Sequence, residues 1–304
     1  MIENGIQLEE INISEGKYTA DSFYAMGKKK FPGLHICQSI FGTKKSDALD
    51  FLDGIQNKAS VKALVIDVDL VNQKAIERLY QFENLMTLYI SSKSTKPLVL
   101  NVCFQKLRSL TIVGNFKLIN MGNVCLRRLK LINCPTDVID TPCNLIEELW
   151  LYGCKDCLPF KYMSSSGIKK IIITRAKCKR LGYLSNLKDL ECLELNYCSK
   201  IEDYSEIGFC LQLSEVCFEG IKKIDDLRVF TKLKSLKSLS LINCGDVKSL
   251  SFLNEMPALE DFLFTGTNIV DGDLMPCMRL KSAWSSLGKR HYNINVKDLP
   301  QRTK

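Results

Sequence analysis

Cysteine and histidine are the residue types in this chain best suited to holding a metal or acting as nucleophiles. The segment "CKDC", Cys154 to Cys157, has the two-residue spacing of zinc-binding and redox-active cysteine pairs. A zinc site would need a second pair of ligands, and no other cysteines have a suitable spacing. The two histidines, His35 and His291, are separated by most of the chain. We therefore predict no metal and no cofactor.

Other motifs of catalysis or nucleotide binding do not occur in the sequence. It contains no phosphate-binding glycine loop, no histidine-based metal motif and no nucleophile elbow. The basic run Lys28 to Lys30 is interpreted as a solvated surface patch. The sequence therefore predicts that the protein is not an enzyme, has no catalytic residues and has no small-molecule substrate.

The composition indicates a core-forming protein that stays in a reducing compartment. Of its 304 residues, 46% are apolar and 25% are charged. The sequence has no apolar run long enough to cross a bilayer, and its start, "MIENGIQLEE", lacks the apolar core of a signal peptide. The 14 cysteines are spread from Cys37 to Cys277, unlike the framework of a small secreted domain. We expect reduced thiols, a cytoplasmic location and no membrane partner.

An internal repeat organises most of the chain. The stretch "LRRLKLINC" from Leu126 returns as "LKSLSLINC" from Leu236, and both fit the template L-x-x-L-x-L-x-x-C, with any apolar residue at the leucine positions. Ten segments match the template, and they begin at Val61, Leu85, Leu107, Leu126, Ile146, Ile168, Leu190, Leu213, Leu236 and Leu259. A degraded eleventh copy, "LKSAWSSLG", begins at Leu280.

The residues that follow each template segment have a different period. Apolar side chains recur three, six and nine positions past the last template residue. Three successive repeats carry Ile201, Tyr204 and Ile207, then Ile224, Leu227 and Phe230, then Val247, Leu250 and Leu253. A period of three is typical of tight 3₁₀ turns, and repeats this short leave no room for a full helix after the strand.

This pattern resembles that of the leucine-rich repeat family, in its short class of roughly 22 residues per repeat. The resemblance covers about Val61 to Thr267, is looser in the repeat that starts at Leu85, where Lys93 fills the cysteine position, and is irregular around Lys117 to Asn123. It implies an α/β solenoid, a horseshoe with about ten to eleven parallel strands on its concave face. Short turns or 3₁₀ helices would form the convex face.

In that family the ninth template position holds Asn, Cys or Thr, stacked as a ladder under neighbouring backbone. The corresponding residues here include Asn115, Cys134, Cys154, Cys198, Cys244 and Thr267. A free thiol suits this place because it is small, readily buried and only weakly polar. We therefore interpret Cys154 as a ladder residue and Cys157 as an inward-facing one.

Both ends of the repeat array need caps, because a bare terminal repeat exposes core residues. We predict an N-terminal cap over residues 1–60, leucine-rich repeats over 61–270, and a C-terminal cap and tail over 271–304. The extended stretches "IQLEEINIS" and "FPGLHICQSI", with a helical pattern from Ser46 to Asn57, would cover the first repeat.

Side chains alternate along a strand, so positions three, five and seven face outward if positions one, four and six face inward. The pattern is offset at its start, which leaves the direction of position three less defined than the other two. The position-five residues are Val65, Tyr89, Thr111, Lys130, Trp150, Ile172, Glu194, Cys217, Ser240 and Leu263. Position seven contributes, among others, Ile132, Tyr152 and Glu219. We predict that Trp150, Tyr152, Ile132 and Ile172 form an exposed cluster.

Charged residues of both signs border this predicted cluster. Arg128 and Lys130 precede it, while Glu194, Glu215 and Glu219 follow it. Exposed aromatic residues with a charged rim are typical of a protein-binding hot spot. The sequence therefore predicts a non-catalytic module that binds another protein on its concave face. Trp150 and Tyr152 would anchor the partner, and the charged residues would orient it.

Two narrower roles are compatible with a protein-binding module, and nucleic acid is the alternative class of ligand. The module is compatible with an inhibitor or immunity-type protein that buries the active site of a toxic enzyme, and with an adaptor that recruits substrates; both rest on analogy of fold. The alternative ligand is nucleic acid, which needs a continuous basic stripe with stacking aromatic residues. The change of sign towards Glu194 and Glu219 argues against it.

Overall fold

The computed structural model describes most of the chain after residue 56. The described residues are 34–37, 49, 52, 53, 55, 57–67, 71–139, 141–143, 145–156, 158–163, 167–224 and 226–301. The predicted extended stretch near residue 10 and most of the predicted helix at 46–57 lie outside them. The chain divides into two compact units, Met1–Ile146 (unit 1) and Glu147–Lys304 (unit 2).

Unit 1 contains a parallel sheet with the strand order β1-β2-β3-β5-β7. Its strands are β1 (Leu34–Cys37), β2 (Ala63–Asp67), β3 (Thr87–Ser91), β5 (Ser109–Val113) and β7 (Arg128–Ile132). A second, two-stranded parallel sheet pairs β4 (Leu98–Asn101) with β6 (Phe116–Ile119). The looser repeat that starts at Leu85 and the irregular one that starts at Leu107 therefore each supply an additional strand.

A short helix protects the edge of the two-stranded sheet. Helix α1 (Gln73–Arg78) begins at Asn72, whose side chain accepts a hydrogen bond from the Ala75 amide at 2.9 Å. The Gln73 side-chain amide donates to the Val99 carbonyl and accepts from the Val99 amide, both at 3.0 Å. These two bonds occupy backbone groups of β4 that would otherwise be open to strand pairing.

The described residues of unit 2 contain seven parallel strands in sequence order. They are β8 (Glu148–Tyr152), β9 (Lys170–Thr174), β10 (Cys192–Asn196), β11 (Glu215–Glu219), β12 (Ser238–Ile242), β13 (Asp261–Leu263) and β14 (Ser282–Trp284). The residues pair without any shift in register, so that Leu193 lies opposite Ile171 on one side and Val216 on the other.

The predicted repeat register is confirmed. Each of the eleven template segments supplies a strand that begins at its third residue, including the degraded copy, which forms β14. Positions one, four and six are buried throughout; in one repeat Leu190, Leu193 and Leu195 are each 0% exposed. The apolar spacing thus identifies the inward-facing side chains correctly.

3₁₀ helices follow the strands, as the period of three predicts. They are η1 (Lys58–Ser60), η2 (Leu79–Gln81), η3 (Met121–Asn123), η4 (Leu158–Tyr162), η5 (Leu184–Asn186), η6 (Ser205–Phe209), η7 (Leu227–Lys232), η8 (Ser251–Glu255), η9 (Met275–Arg279) and η10 (Val296–Asp298). The predicted apolar triads are buried, apart from the half-buried Ile224. No helix in the described part of the chain has the length and apolar character to cross a membrane.

The ladder formed by position nine is confirmed by hydrogen bonds to the preceding repeat. The Cys198 thiol donates to the Ile173 carbonyl, and the Cys244 thiol donates to the Phe218 carbonyl, both at 3.4 Å. Thr267 donates to the Leu241 carbonyl at 2.7 Å. Each acceptor is the position-six carbonyl one repeat earlier. The repeated cysteine is therefore a packing residue that also links neighbouring repeats.

The residues after β14 close the last strand of unit 2. The Ala283 amide donates to the Pro300 carbonyl at 2.9 Å, and Leu299 is only 2% exposed. His291 Nε2 donates to the Ile269 carbonyl at 2.8 Å. This segment provides partners for backbone groups at the edge of the sheet.

Substitution of a ladder cysteine tests this account. We expect Cys198→Ala to lower the free energy of unfolding by about 1–2 kcal/mol, because it removes a buried hydrogen bond and leaves a small cavity. Cys198→Thr should cost clearly less, since Thr267 makes the same bond in its own repeat. Urea unfolding followed by circular dichroism measures both; equal losses would show that the hydrogen bond does not stabilise the fold.

Alkaline pH should destabilise the protein through its buried thiols. Burial raises the pKa of Cys198 from 9.0 to about 11 and that of Cys210 and Cys277 to about 12. As pH rises, these thiols ionise first in the unfolded chain. The stabilisation is therefore intact below pH 9 and is lost between pH 9 and 12. Urea midpoints across this range should fall, and fall less steeply in a Cys198→Thr variant.

Candidate protein-binding surface

One face of the unit 2 sheet points away from the core. We define the unit 2 strand face as the outward side chains at positions three, five and seven of β8 to β14. They are Glu148, Lys170, Cys192, Glu215, Ser238, Asp261 and Ser282, then Trp150, Ile172, Glu194, Cys217, Ser240, Leu263 and Trp284, then Tyr152, Thr174, Asn196, Glu219 and Ile242. In β8, β9, β10 and β12 these residues are half-buried while their neighbours at positions four and six are buried. The face is thus accessible along most of its length.

Trp150 lies on this face, as predicted, and its ring is fixed by a neighbour. Its Nε1 donates to Glu148 Oε1 at 3.1 Å, from the same side of β8. On β9 the residue opposite Trp150 is Ile172, and opposite Ile172 on β10 is Glu194. The structure therefore brings together three of the predicted binding residues in one row across adjacent strands.

Tyr152 lies two residues further along β8 and is also half-buried. The Arg175 guanidinium carbon is 5.8 Å from the centre of the Tyr152 ring, within the range of a cation–π contact. The contact holds the aromatic ring at the end of the strand. Tyr152 and Arg175 therefore form one feature of the surface, although only Tyr152 was predicted from the sequence.

Glu194 is part of an ion pair within the face. Lys170 Nζ is 2.6 Å from Glu194 Oε1, and Glu148 lies directly opposite Lys170 on β8. Burial lowers the pKa of Lys170, but the hydrogen bond and charge of Glu194 outweigh this effect and leave the pKa above its ordinary value. Lys170 occupies position three, where the sequence pattern left the side-chain direction less defined.

The backbone turns sharply at position eight, after the strand, in most of the repeats. In eight successive repeats this residue has a left-handed conformation, and the residues are Gly114, Asn133, Gly153, Arg175, Tyr197, Gly220, Asn243 and Gly266. Glycine and asparagine adopt this conformation at low cost, whereas for other residues it costs about 1–2 kcal/mol. Arg175 and Tyr197, with φ of 52° and 55°, therefore carry backbone strain.

Both strained residues contact the unit 2 strand face. Arg175 lies over Tyr152, and the Tyr197 hydroxyl donates to Glu219 Oε1. The Tyr197 ring also packs over Gly220, where an added Cβ would lie 2.5 Å from a ring carbon. Sequence reasoning missed both residues. The available signal was that, in the eight repeats that start at Leu107 to Leu259, position eight departs from Gly and Asn only at these two residues.

Arg128, Lys130 and Ile132 lie in unit 1, at positions three, five and seven of β7. All three are half-buried, so each reaches solvent as predicted from the alternation of the strand. On the adjacent strand β5, Ser109 lies opposite Arg128, and Thr111 lies opposite Lys130. Unit 1 therefore carries the predicted basic pair on its own sheet.

The residues at position five of β2, β3 and β5 were predicted to face outward, but they are not exposed to solvent. Val65, Tyr89 and Thr111 are 3%, 7% and 6% exposed, and Val65 and Tyr89 pack together with Val113 at their border. The expectation that this column is accessible along its whole length is therefore wrong for β2, β3 and β5. Alternation gives the direction of a side chain but not what covers it.

The described cysteines and histidines that could have bound a metal or acted as nucleophiles lie among packing and hydrogen-bond contacts of the fold. Cys154 lies at the ladder position after β8, while Cys157 is outside the described residues. On the unit 2 strand face, burial raises the pKa of Cys192 to about 11 and that of Cys217 to about 12, which keeps both thiols protonated at neutral pH. Within the described ranges, no three metal-ligating side chains are grouped so as to hold an ion.

The repeated strand, the ladder at position nine and the 3₁₀ segment together form a leucine-rich repeat fold in this chain. No family model and no curated protein matches the sequence. Its backbone is similar to that of an internalin from Listeria monocytogenes, with 17% identity, a TM-score of 0.44, and coverage of 79% of this chain and 87% of that one.

Two further solved structures are similar at the same level. Internalin C2 from Listeria monocytogenes shares 14% identity at a TM-score of 0.42, over 79% of this chain and 91% of that one. A leucine-rich repeat protein from Leptospira interrogans shares 17% identity at a TM-score of 0.42, over 75% of this chain and 67% of that one.

The strain at position eight can be measured directly. We expect Arg175→Asn to raise the free energy of unfolding by about 0.5–1 kcal/mol, because Asn adopts the left-handed conformation more easily than Arg. The converse change, Asn243→Arg, provides a matched control and should lower it by a similar amount, since Asn243 has φ of 50°. Denaturant unfolding at neutral pH gives both values. No difference between the two variants would contradict the assignment of strain.

Proposed function

We propose that this protein binds another protein through the unit 2 strand face, with Trp150 and Tyr152 as the anchoring residues. The observation that carries the proposal is that both rings are accessible and already held, Trp150 by the Glu148 carboxylate and Tyr152 by the Arg175 guanidinium. Aromatic side chains in such positions supply much of the energy of protein interfaces. Ile172 extends the apolar contact next to Trp150.

The backbone beneath these residues supports tight binding. Every strand of the face is hydrogen-bonded in register to its neighbours, and the inward side chains are buried. A surface that is ordered before contact loses little conformational entropy when a partner binds. A broad and rigid sheet face of this kind therefore suits recognition of a folded protein or an extended chain segment.

Charged residues set the orientation of the partner in this proposal. In unit 2, Glu194 and Glu219 lie on β10 and β11, two and three strands from the aromatic anchors on β8; in unit 1, the proposed charged residues are Arg128 and Lys130. Such residues act mainly on the association rate and on partner choice. Their contribution should therefore weaken as ionic strength rises.

We propose that the protein has no catalytic activity and works in the cytoplasm. The thiols on the face are protonated at neutral pH, and His291 donates to a backbone carbonyl near the end of the chain. The ladder thiols Cys198 and Cys244 make their hydrogen bonds only in the reduced form, which suits a reducing compartment. An inhibitor or immunity-type role and an adaptor role both remain within this proposal.

The proposed interface is tested by removing its aromatic anchors. We expect the double variant Trp150→Ala/Tyr152→Ala to lose at least about tenfold in affinity for the native partner, recovered by affinity purification from the source organism and then titrated as a purified protein. Tyr183→Ala is the matched control, because Tyr183 is exposed but lies outside the strands. Unchanged affinity in a folded double variant would reject the interface.

A further inference from the structure

The unit 2 strand face has a charge opposite to that of the whole chain. Among its side chains are five carboxylates, Glu148, Glu194, Glu215, Glu219 and Asp261, and a single ammonium group, that of Lys170, which gives a net formal charge of −4. The whole chain carries a formal charge of +8. The acidic character therefore belongs to this face and does not reflect the composition of the protein.

Apolar side chains lie at both ends of the same face. Trp150 and Ile172 lie on β8 and β9, while Leu263 and Trp284 lie on β13 and β14. Trp284 is 45% exposed although it belongs to a degraded repeat. Between these apolar ends, β10 and β11 carry three of the five carboxylates, Glu194, Glu215 and Glu219, of which Glu215 is exposed.

The spacing of these features fits a short length of polypeptide. Trp150 and Trp284 occupy the same position on strands six places apart, which is about 29 Å at the usual spacing of neighbouring strands. An extended chain of about nine residues covers that distance. Acidic side chains in the middle would attract lysine or arginine, and the two apolar ends would bury apolar side chains.

We infer that the partner presents to the unit 2 strand face a basic segment with an apolar residue on each side of it. This inference rests on the proposed function, because it names the chemistry of the partner for the same surface. The two cations at this surface do not oppose such a ligand, since Lys170 is paired with Glu194 at 2.6 Å and Arg175 lies over the Tyr152 ring at the end of β8. A polyanion such as a nucleic acid would be repelled by the same carboxylates.

The test uses defined probes with the full chain. Three synthetic eleven-residue peptides carry leucine near both ends and three lysines, three glutamines or three glutamates in the middle. A fluorescently labelled single-stranded DNA of similar length is the fourth probe. We expect the lysine peptide to bind at least about tenfold more tightly than the glutamate peptide at low salt, and to lose most of that advantage near 0.5 M salt.

Charge-reversal variants locate the effect. Glu215→Lys/Glu219→Lys should lower the affinity for the lysine peptide by at least about tenfold and raise that for the glutamate peptide. Glu202→Lys/Glu255→Lys introduces the same charge change at exposed residues outside the strands and should leave both within about twofold. Circular dichroism verifies that each variant is folded. If the double reversal does not fold, Glu215→Gln replaces it, and this variant should lose about twofold to threefold in affinity for the lysine peptide.

The outcomes separate this inference from the proposed function. The inference of a basic partner is overturned by any one of four results. These are equal affinity for the three peptides, no peptide binding up to about 1 mM, tighter binding of the DNA than of the lysine peptide, and equal losses of affinity in the two charge-reversal variants. If any of these results occurs while Trp150→Ala/Tyr152→Ala still abolishes binding of the native partner, the interface stands and only the chemistry assigned to the partner is wrong.

Discussion

The fold depends on the fact that one repeat cannot bury its own apolar side chains. Positions one, four and six of each strand are covered only when the next repeat stacks beside it, as the complete burial of Leu193 between Ile171 and Val216 illustrates. The same neighbour supplies the hydrogen-bond partners of the strand backbone. Stability is therefore a sum of contacts between adjacent repeats, and the outward positions are free to vary.

That freedom explains how a regular frame carries an irregular surface. The ladder at position nine repeats a single contact, a donor from one repeat to the position-six carbonyl of the repeat before it. Positions three, five and seven make no contact that every repeat must share, and in unit 2 they hold aromatic, aliphatic and acidic residues. A net negative face on a net positive chain is a consequence of these positions alone.

The turn after the strand affects both the stability of the fold and the outward-facing side chains. Most repeats place Gly or Asn at position eight, where a left-handed backbone costs little. Arg175 and Tyr197 accept the cost of this conformation, and both contact outward-facing side chains, Tyr152 and Glu219. A left-handed backbone at a residue other than Gly or Asn is a form of strain that proteins also keep at ligand contacts. Tyr183, with φ of 67°, has the same conformation outside the unit 2 strand face.

The sequence by itself determined the repeat, the start of the strand in each template segment and the identity of the inward side chains, because stacking imposes one apolar spacing on every copy. It also placed Trp150, Tyr152 and Ile172 on an outward face, since alternation along a strand is a local property. It did not predict the additional strands β4 and β6. Only the tertiary structure decided which outward residues are accessible. Val65 and Tyr89 are buried, Lys170 neutralises Glu194, and Arg175 reaches Tyr152, because such contacts join residues about one repeat apart and depend on what covers each strand.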